Sequence, residues 1–279
     1  MSITRPVLRY HGGKWKLAPW IISHMPPHVS YVEPYGGAAS VLLRKQRAGL
    51  EVYNDLYDDV VNVFRVLRDP ALAERLRLAC ELTPFSRSEL VAALVPSGDA
   101  VERARQTIVR SFFGRVAEGI EGSRPRTFRL YRDGYSVARG WAAWPECIPA
   151  FVERLRGVTI EQMDALGLIE RYDSADALLF VDPPYVHETR TDIKAKRGAY
   201  RHEMTDTDHE DLARSLHGVQ GMVLLSGYGS PLYDDLYAGW TRVTRSAYAD
   251  KASPRTEILW MNKSAAERCP RLGLLAVCE

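Results

Sequence analysis

Ala177-Leu178-Leu179-Phe180-Val181-Asp182-Pro183-Pro184-Tyr185 is the stretch that decides the fold. Its first five residues form an apolar run of strand length, the pattern of a strand buried on both faces. The run ends in a carboxylate, two prolines and an aromatic ring. Neither proline has a backbone N–H, so the turn offers carbonyl acceptors without competing donors. A strand end of this kind suits a planar ligand with an amine on its edge, and an adenine base fits that description.

Further strand-like runs occur at Ser30–Glu33, Glu51–Asn54, Val158–Gln162, Met222–Ser226, Arg242–Tyr248 and Glu257–Asn262. Helical spacing is found between most of them, at Lys16–His24, Ala38–Arg47 and Tyr57–Leu67. Asp206-Thr207-Asp208 reads as the N-cap of a helix running to about Leu216. Alternation of strand and helix predicts an α/β layer fold with a mainly parallel sheet. From Leu72 to Phe151 the rhythm breaks. Helices are predicted at Leu72–Glu81, Arg87–Leu94 and Val101–Val116, followed by a loop rich in Gly, Arg and aromatics. The expected organisation is therefore one α/β unit made of residues 1–70 and 152–279, with residues 71–151 inserted.

Bulk properties narrow the class. The chain has 279 residues, 46% hydrophobic and 26% charged, ordinary values for a soluble globular protein. No apolar run is long enough to span a bilayer, and the N-terminal residues do not read as a secretion signal. Four scattered cysteines without Cys-x-x-Cys spacing favour reduced thiols in a cytoplasm over zinc sites, and no metal centre is expected. The net charge is only +2, yet Val101–Gly140 holds nine arginines against four acidic residues. That segment is a candidate phosphate-contacting surface, or a solvated helix face with ordinary ion pairs.

Three more constellations carry chemistry. Tyr31-Val32-Glu33-Pro34-Tyr35-Gly36-Gly37-Ala38-Ala39-Ser40 is a strand ending in a carboxylate and a glycine turn, the place where α/β sheets bind ligands. Asn54-Asp55 ends the next strand, 18 positions after Gly37, where an acid can accept from ribose hydroxyls or cap a helix. Arg9-Tyr10-His11-Gly12-Gly13-Lys14 places two glycines between an aromatic and a lysine, just ahead of a helix. Asp164, after another strand, is either a ligand contact or a helix N-cap. Gly36-Gly37-Ala38-Ala39 lacks the Gly-x-Gly-x-x-Gly pattern of dinucleotide-dependent oxidoreductases.

In this order the motifs resemble the Dam-like adenine-specific DNA methyltransferases. Tyr10–Lys14 corresponds to their aromatic-x-Gly-Gly-Lys segment, Glu33–Ser40 to Glu-Pro-Phe-x-Gly-x-Gly-Ser, Asp55 to the ribose-binding acid, and Asp182–Tyr185 to the catalytic motif. Tyr200–His209, Ser226–Tyr228 and Arg255–Asn262 also resemble the group, especially its phage and restriction-associated members. Two departures stand out: Tyr10 replaces a Trp, and Ala39 replaces the last glycine, which is tolerable if its φ stays negative.

The resemblance implies a Rossmann-like class I methyltransferase with a seven-stranded sheet and a helical target-recognition insert. It implies S-adenosylmethionine as donor, held by Tyr10, Lys14, Glu33, Tyr35, Gly36, Gly37, Asn54, Asp55, Asp164 and Asp182. The acceptor would be the N6 amine of an adenine flipped out of double-stranded DNA, with Asp182, Pro183, Pro184 and Tyr185 as catalytic residues. Candidate DNA contacts are Arg110, Arg115, Arg124, Arg126, Arg129 and Arg132, interleaved with Phe112, Phe113, Phe128 and Tyr131, and a second patch of Arg190, Lys194, Lys196, Arg197 and Arg201. Cytosine N4 methylation uses the same geometry, but Asp182 rather than Ser favours adenine. A DNA-binding protein that keeps the fold without catalysis is the reading from a different class. A monomer is the default expectation, and a partner restriction endonuclease is compatible with the resemblance.

Overall fold

In a computed structural model of the chain, residues 3–10, 12–114, 128, 131–132, 135–189, 202–248 and 254–275 are described. The strands are β1 (Ser30–Glu33), β2 (Leu50–Asn54), β3 (Tyr131–Arg132), β4 (Tyr135–Ser136), β5 (Val158–Glu161), β6 (Ala177–Val181), β7 (Met222–Tyr228), β8 (Thr241–Tyr248) and β9 (Pro254–Met261). All but β3 and β4 form one sheet in the order β5-β2-β1-β6-β7-β9-β8. Pairing is parallel from β5 to β7, and β9 runs antiparallel between β7 and β8. This is a Rossmann-like, mainly parallel α/β sheet of seven strands, as expected. A two-residue hairpin, β3 with β4, lies in the segment where no strand was expected.

Every residue of β6 is buried, because it lies between β1 and β7 with both faces covered. Alternation along the strands separates two apolar layers. Tyr31, Tyr53, Leu178, Phe180, Leu224 and Leu259 face one side, with Phe64, Ile108, Trp144 and Phe151. Val32, Val52, Leu179, Val181, Leu225 and Trp260 face the other, with Leu168, Leu212, Leu216 and Tyr233.

The helices of residues 70–155 join the first layer. They are Pro70–Glu81, Arg87–Ala92, Ala100–Phe113 and Val137–Ala142, followed by Ile148–Leu155. Phe112 and Phe113 are buried there, 5.5 Å from Trp144 and 4.9 Å from Trp141 respectively, so their rings belong to the core and not to a DNA surface. Trp144 donates its indole N–H to Pro6 O at 3.2 Å, and Trp141 donates to Thr83 O at 2.7 Å. These helices and the sheet therefore share one apolar cluster.

Two local expectations are corrected. Residues 38–47 are not a helix but a succession of turns. Their geometry is fixed by Leu42 N donating to Glu33 Oε1 at 2.7 Å and by Gly37 and Ala39 in the left-handed region, with φ of 48° and 51°. Ala39 thus has positive φ where a negative value was expected, at the cost of steric strain that a glycine would not incur. The second correction is the helix Asp206–Gly218, capped by Thr205 through a capping box with Asp208 and not by Asp206.

Trp144→Ala should destabilise the protein by about 3–5 kcal/mol, because it opens a void at a fully buried site. In urea unfolding, far-UV and tryptophan signals should still change together. Separate transitions would contradict a core shared by the helices and the sheet.

Candidate active site

The chain passes from β1 out to β2 and β5, then returns to β6 beside β1. That reversal opens a crevice at the carboxyl ends of the strands, the usual ligand position in such sheets. Register places the polar termini together. Val32 pairs with Leu179 and Glu33 with Tyr53, so Glu33, Asp55 and Asp182 emerge at one edge. They line a cavity of about 360 Å³, with Tyr10, Gly12–Lys14, Tyr35–Ala38, Asp164, Pro183 and Pro184.

The glycine turn is shaped for close approach. A Cβ on Gly36 would lie 2.2 Å from the Tyr53 ring, and one on Gly37 would lie 3.2 Å from the Tyr10 ring. Tyr53 Oη donates to Gly37 O at 2.7 Å. Asp55 holds the same turn: its carboxylate accepts from Gly37 N and from Tyr57 N, both at 2.8 Å. Burial raises the Asp55 pKa, and the N–H donors of Tyr57 and Gly37 oppose that shift.

Glu33 is buried at the end of β1. Its Oε1 accepts from Tyr31 Oη and from Leu42 N, each at 2.7 Å. Burial pushes its carboxyl up to about 7 despite these donors. Behind the turn lies a buried charge cluster. Glu51 accepts from Lys45 Nζ at 2.7 Å and from Arg154 at 2.6 and 2.9 Å, and Arg154 also donates to Leu42 O.

At the centre, Lys14 Nζ lies 2.9 Å from Asp182 Oδ1 and donates to Gly12 O at 2.9 Å. The Lys14 side chain is 6% exposed and that of Asp182 is 17% exposed. Burial raises the Asp182 carboxyl to about 6, against the lowering effect of Lys14. Tyr185 is buried beside them, its ring centroid 4.7 Å from Lys14 Nζ and 4.7 Å from the Tyr228 ring. Tyr185 Oη donates to Glu257, and Ser226 Oγ donates to the same oxygen at 3.0 Å. Ser226 and Glu257 lie in segments that resemble the methyltransferase group, but neither was expected as a site residue. The available signal was a charged residue heading the otherwise apolar run Ile258–Met261.

The other candidates fall in different places. Asn54 is buried outside the cavity lining; its amide bridges Pro34 O at 2.9 Å and Met163 O at 3.0 Å, and its carbonyl accepts from Met163 N. It clamps the ends of β1 and β5. Asp164 is the N-cap of the helix Ala165–Tyr172, and it also borders the cavity. His202, Glu203, Met204, Asp208 and Asp211 border the cavity from the far side.

Arg110 pairs with Asp59 at 2.7 Å and is largely enclosed, a tie between two helices. Arg115, Arg124, Arg126, Arg129, Arg190, Lys194, Lys196, Arg197 and Arg201 lie outside the described residues, and Arg132 is described in its backbone alone.

Residues 10–91 match the D12 class N6 adenine-specific DNA methyltransferase family. The match implies an enzyme acting on the N6 amine of adenine in DNA, and cytosine N4 is not favoured. It spans the Tyr10–Lys14 segment, the Glu33–Ser40 turn and Asp55; Asp182–Tyr185 and Glu257 lie beyond it. No curated protein matches the chain. Among the described residues, no helix is long and apolar enough to cross a membrane.

The buried carboxyl of Glu33 gives a stability dependence on pH. Its folded pKa is raised above the ordinary 4.5, so the folded state binds the proton more tightly than the unfolded chain. The associated stability is complete below about pH 4.5 and is lost as pH rises to about 7. Glu33→Gln should therefore flatten the change in denaturation midpoint between pH 5 and pH 8 in ligand-free protein. An unchanged slope would contradict burial of an ionisable group there.

Proposed function

We propose that the cavity at the sheet reversal holds S-adenosylmethionine, and that the adenine amine is methylated against Asp182. The observation that carries this reading is the enclosed Lys14–Asp182 pair, set in the wall of the same cavity as the glycine turn. The residues present fit the donor. Gly36 and Gly37 line the cavity, and their lack of a Cβ lets the Tyr53 and Tyr10 rings pack against the turn that shapes it. Asp55 and Asp164 offer acceptors for hydroxyl or amine groups, and several carboxylates around the cavity suit a cationic ligand. When bound, S-adenosylmethionine supplies a methyl group carried on a positively charged sulfur.

The exocyclic amine of adenine is a weak nucleophile because its lone pair is delocalised into the ring. Asp182 and a carbonyl of the Pro183-Pro184 turn accept its two hydrogens and localise that pair on nitrogen. Asp182 is ionised at neutral pH yet has a raised pKa, so it can hold the proton that nitrogen must shed once methylated. Lys14 keeps the carboxylate in place. Catalysis on this reading is orientation and preorganised charge, with no covalent enzyme intermediate. The base leaves the duplex to reach Asp182. The basic runs around Arg115–Arg132 and Arg190–Arg197 are the proposed phosphate contacts.

Asp182→Ala should lower methyl transfer by about a thousandfold, the scale of losing one preorganised polar group at the reacting atom. Calorimetric titration should show cofactor binding retained within about tenfold. Near-normal turnover would remove Asp182 from this role, and lost cofactor binding with intact turnover per bound complex would reassign it to the donor.

A further inference from the structure

Glu257 opens the buried half of β9, pairing with Tyr228 of β7 ahead of Ile258, Leu259, Trp260 and Met261. It is 2% exposed, and a carboxylate so enclosed is costly unless donors surround it. Three converge on its Oε1: Tyr185 Oη, Ser226 Oγ at 3.0 Å and Lys14 Nζ at 3.7 Å. Tyr185 Oη and Ser226 Oγ are also 3.3 Å apart. The Lys14 ammonium thus lies between two carboxylates, Asp182 at 2.9 Å and Glu257 at 3.7 Å, with the Tyr185 ring beside it. These five groups come from four segments: Lys14 from the Gly12-Gly13-Lys14 turn, Asp182 and Tyr185 from the end of β6, Ser226 from β7 and Glu257 from β9.

We propose that Glu257 is a positioning residue for methyl transfer, anchoring the Tyr185 hydroxyl and dividing the Lys14 ammonium between itself and Asp182. The inference rests on the reading of Asp182 given above. Its physical content is that a cation shared between two anions neutralises neither fully. Asp182 keeps acceptor strength for the amine while remaining fixed, and the Tyr185 ring is held at the catalytic strand end. Asp182 is faced by Lys14, Glu257 and Tyr185, and at longer range by Glu33 and Tyr233. The negative charge of Glu257 raises the Asp182 pKa, and Lys14 lowers it. Removing the Glu257 charge leaves Lys14 as the nearest influence, so Asp182 should ionise at lower pH.

Glu257→Gln keeps the shape and an acceptor for Tyr185 but removes the charge. In the full-length protein with DNA and S-adenosylmethionine, kcat should fall by about tenfold to a hundredfold, the scale of misplacing a reacting group. The KM for S-adenosylmethionine should stay within about threefold. The acid limb of the kcat–pH profile should move to lower pH, a shift that a merely structural defect would not produce. Glu257→Asp should recover less than half of the lost rate, because its shorter arm retains charge but not reach. A Glu257→Gln enzyme with wild-type kcat and an unmoved acid limb overturns the proposal, as does a loss confined to KM. If Glu257→Gln shows no cooperative thermal transition, Ser226→Ala and Tyr185→Phe decide. Lowered kcat with normal cofactor KM in both supports the proposal, and wild-type kcat in both overturns it. Wild-type protein that methylates no adenine would instead remove the underlying reading.

Discussion

The buried contact between Lys14 and Asp182 is the interaction on which the site depends. A carboxylate enclosed at a strand end needs a counter-charge or it takes up a proton. Here the counter-charge comes from the N-terminal turn, which the sheet itself does not contain. Gly12 accepts the lysine ammonium, and the backbone at Lys14 starts the first helix through bonds from Leu17 N and Ala18 N. One pair thereby joins the N-terminal segment to the end of β6 in the wall of the cavity.

The rest of the architecture holds that contact in place. Five parallel strands bring Glu33, Asp55 and Asp182 to the same edge, and the reversal beside β1 leaves the space between them. The glycine turn is fixed from three sides, by Asp55 at Gly37, by Glu33 at Leu42, and by the Lys45–Glu51–Arg154 cluster behind it. Carboxylates that read as ligand contacts therefore also bind backbone N–H groups. The two roles are compatible, because a carboxylate oxygen accepts more than one hydrogen bond. The strained φ of Ala39 persists because the surrounding bonds over-determine the turn.

Much of this was legible in the sequence. The strand-like runs located all seven strands of the main sheet; burial on both faces makes β6 wholly apolar, while the edge strand β8 keeps polar, exposed residues. The Gly-Gly turn, Asp55 and Asp182 were placed at strand ends by simple adjacency. The misreadings have physical causes. Ala38–Arg47 has helical apolar spacing, but spacing does not reveal a carboxylate two turns earlier in the chain that captures Leu42 N. Phe112 and Phe113 lie among the arginines in sequence yet face the core, because the buried side of their helix is broad enough at its end to take both rings. The site role of Glu257 and Ser226 was not legible because their partnership with Tyr185 joins β7, β9 and the end of β6, a relation set by strand order.

The central claim is that this site delivers a methyl group to the amine of adenine in DNA. The most direct measurement is mass spectrometry of nucleosides from unmethylated DNA incubated with the purified protein and S-adenosylmethionine bearing a deuterated methyl group. The account predicts the label in N6-methyladenine. Label found only in N4-methylcytosine, or in no nucleoside, would contradict it.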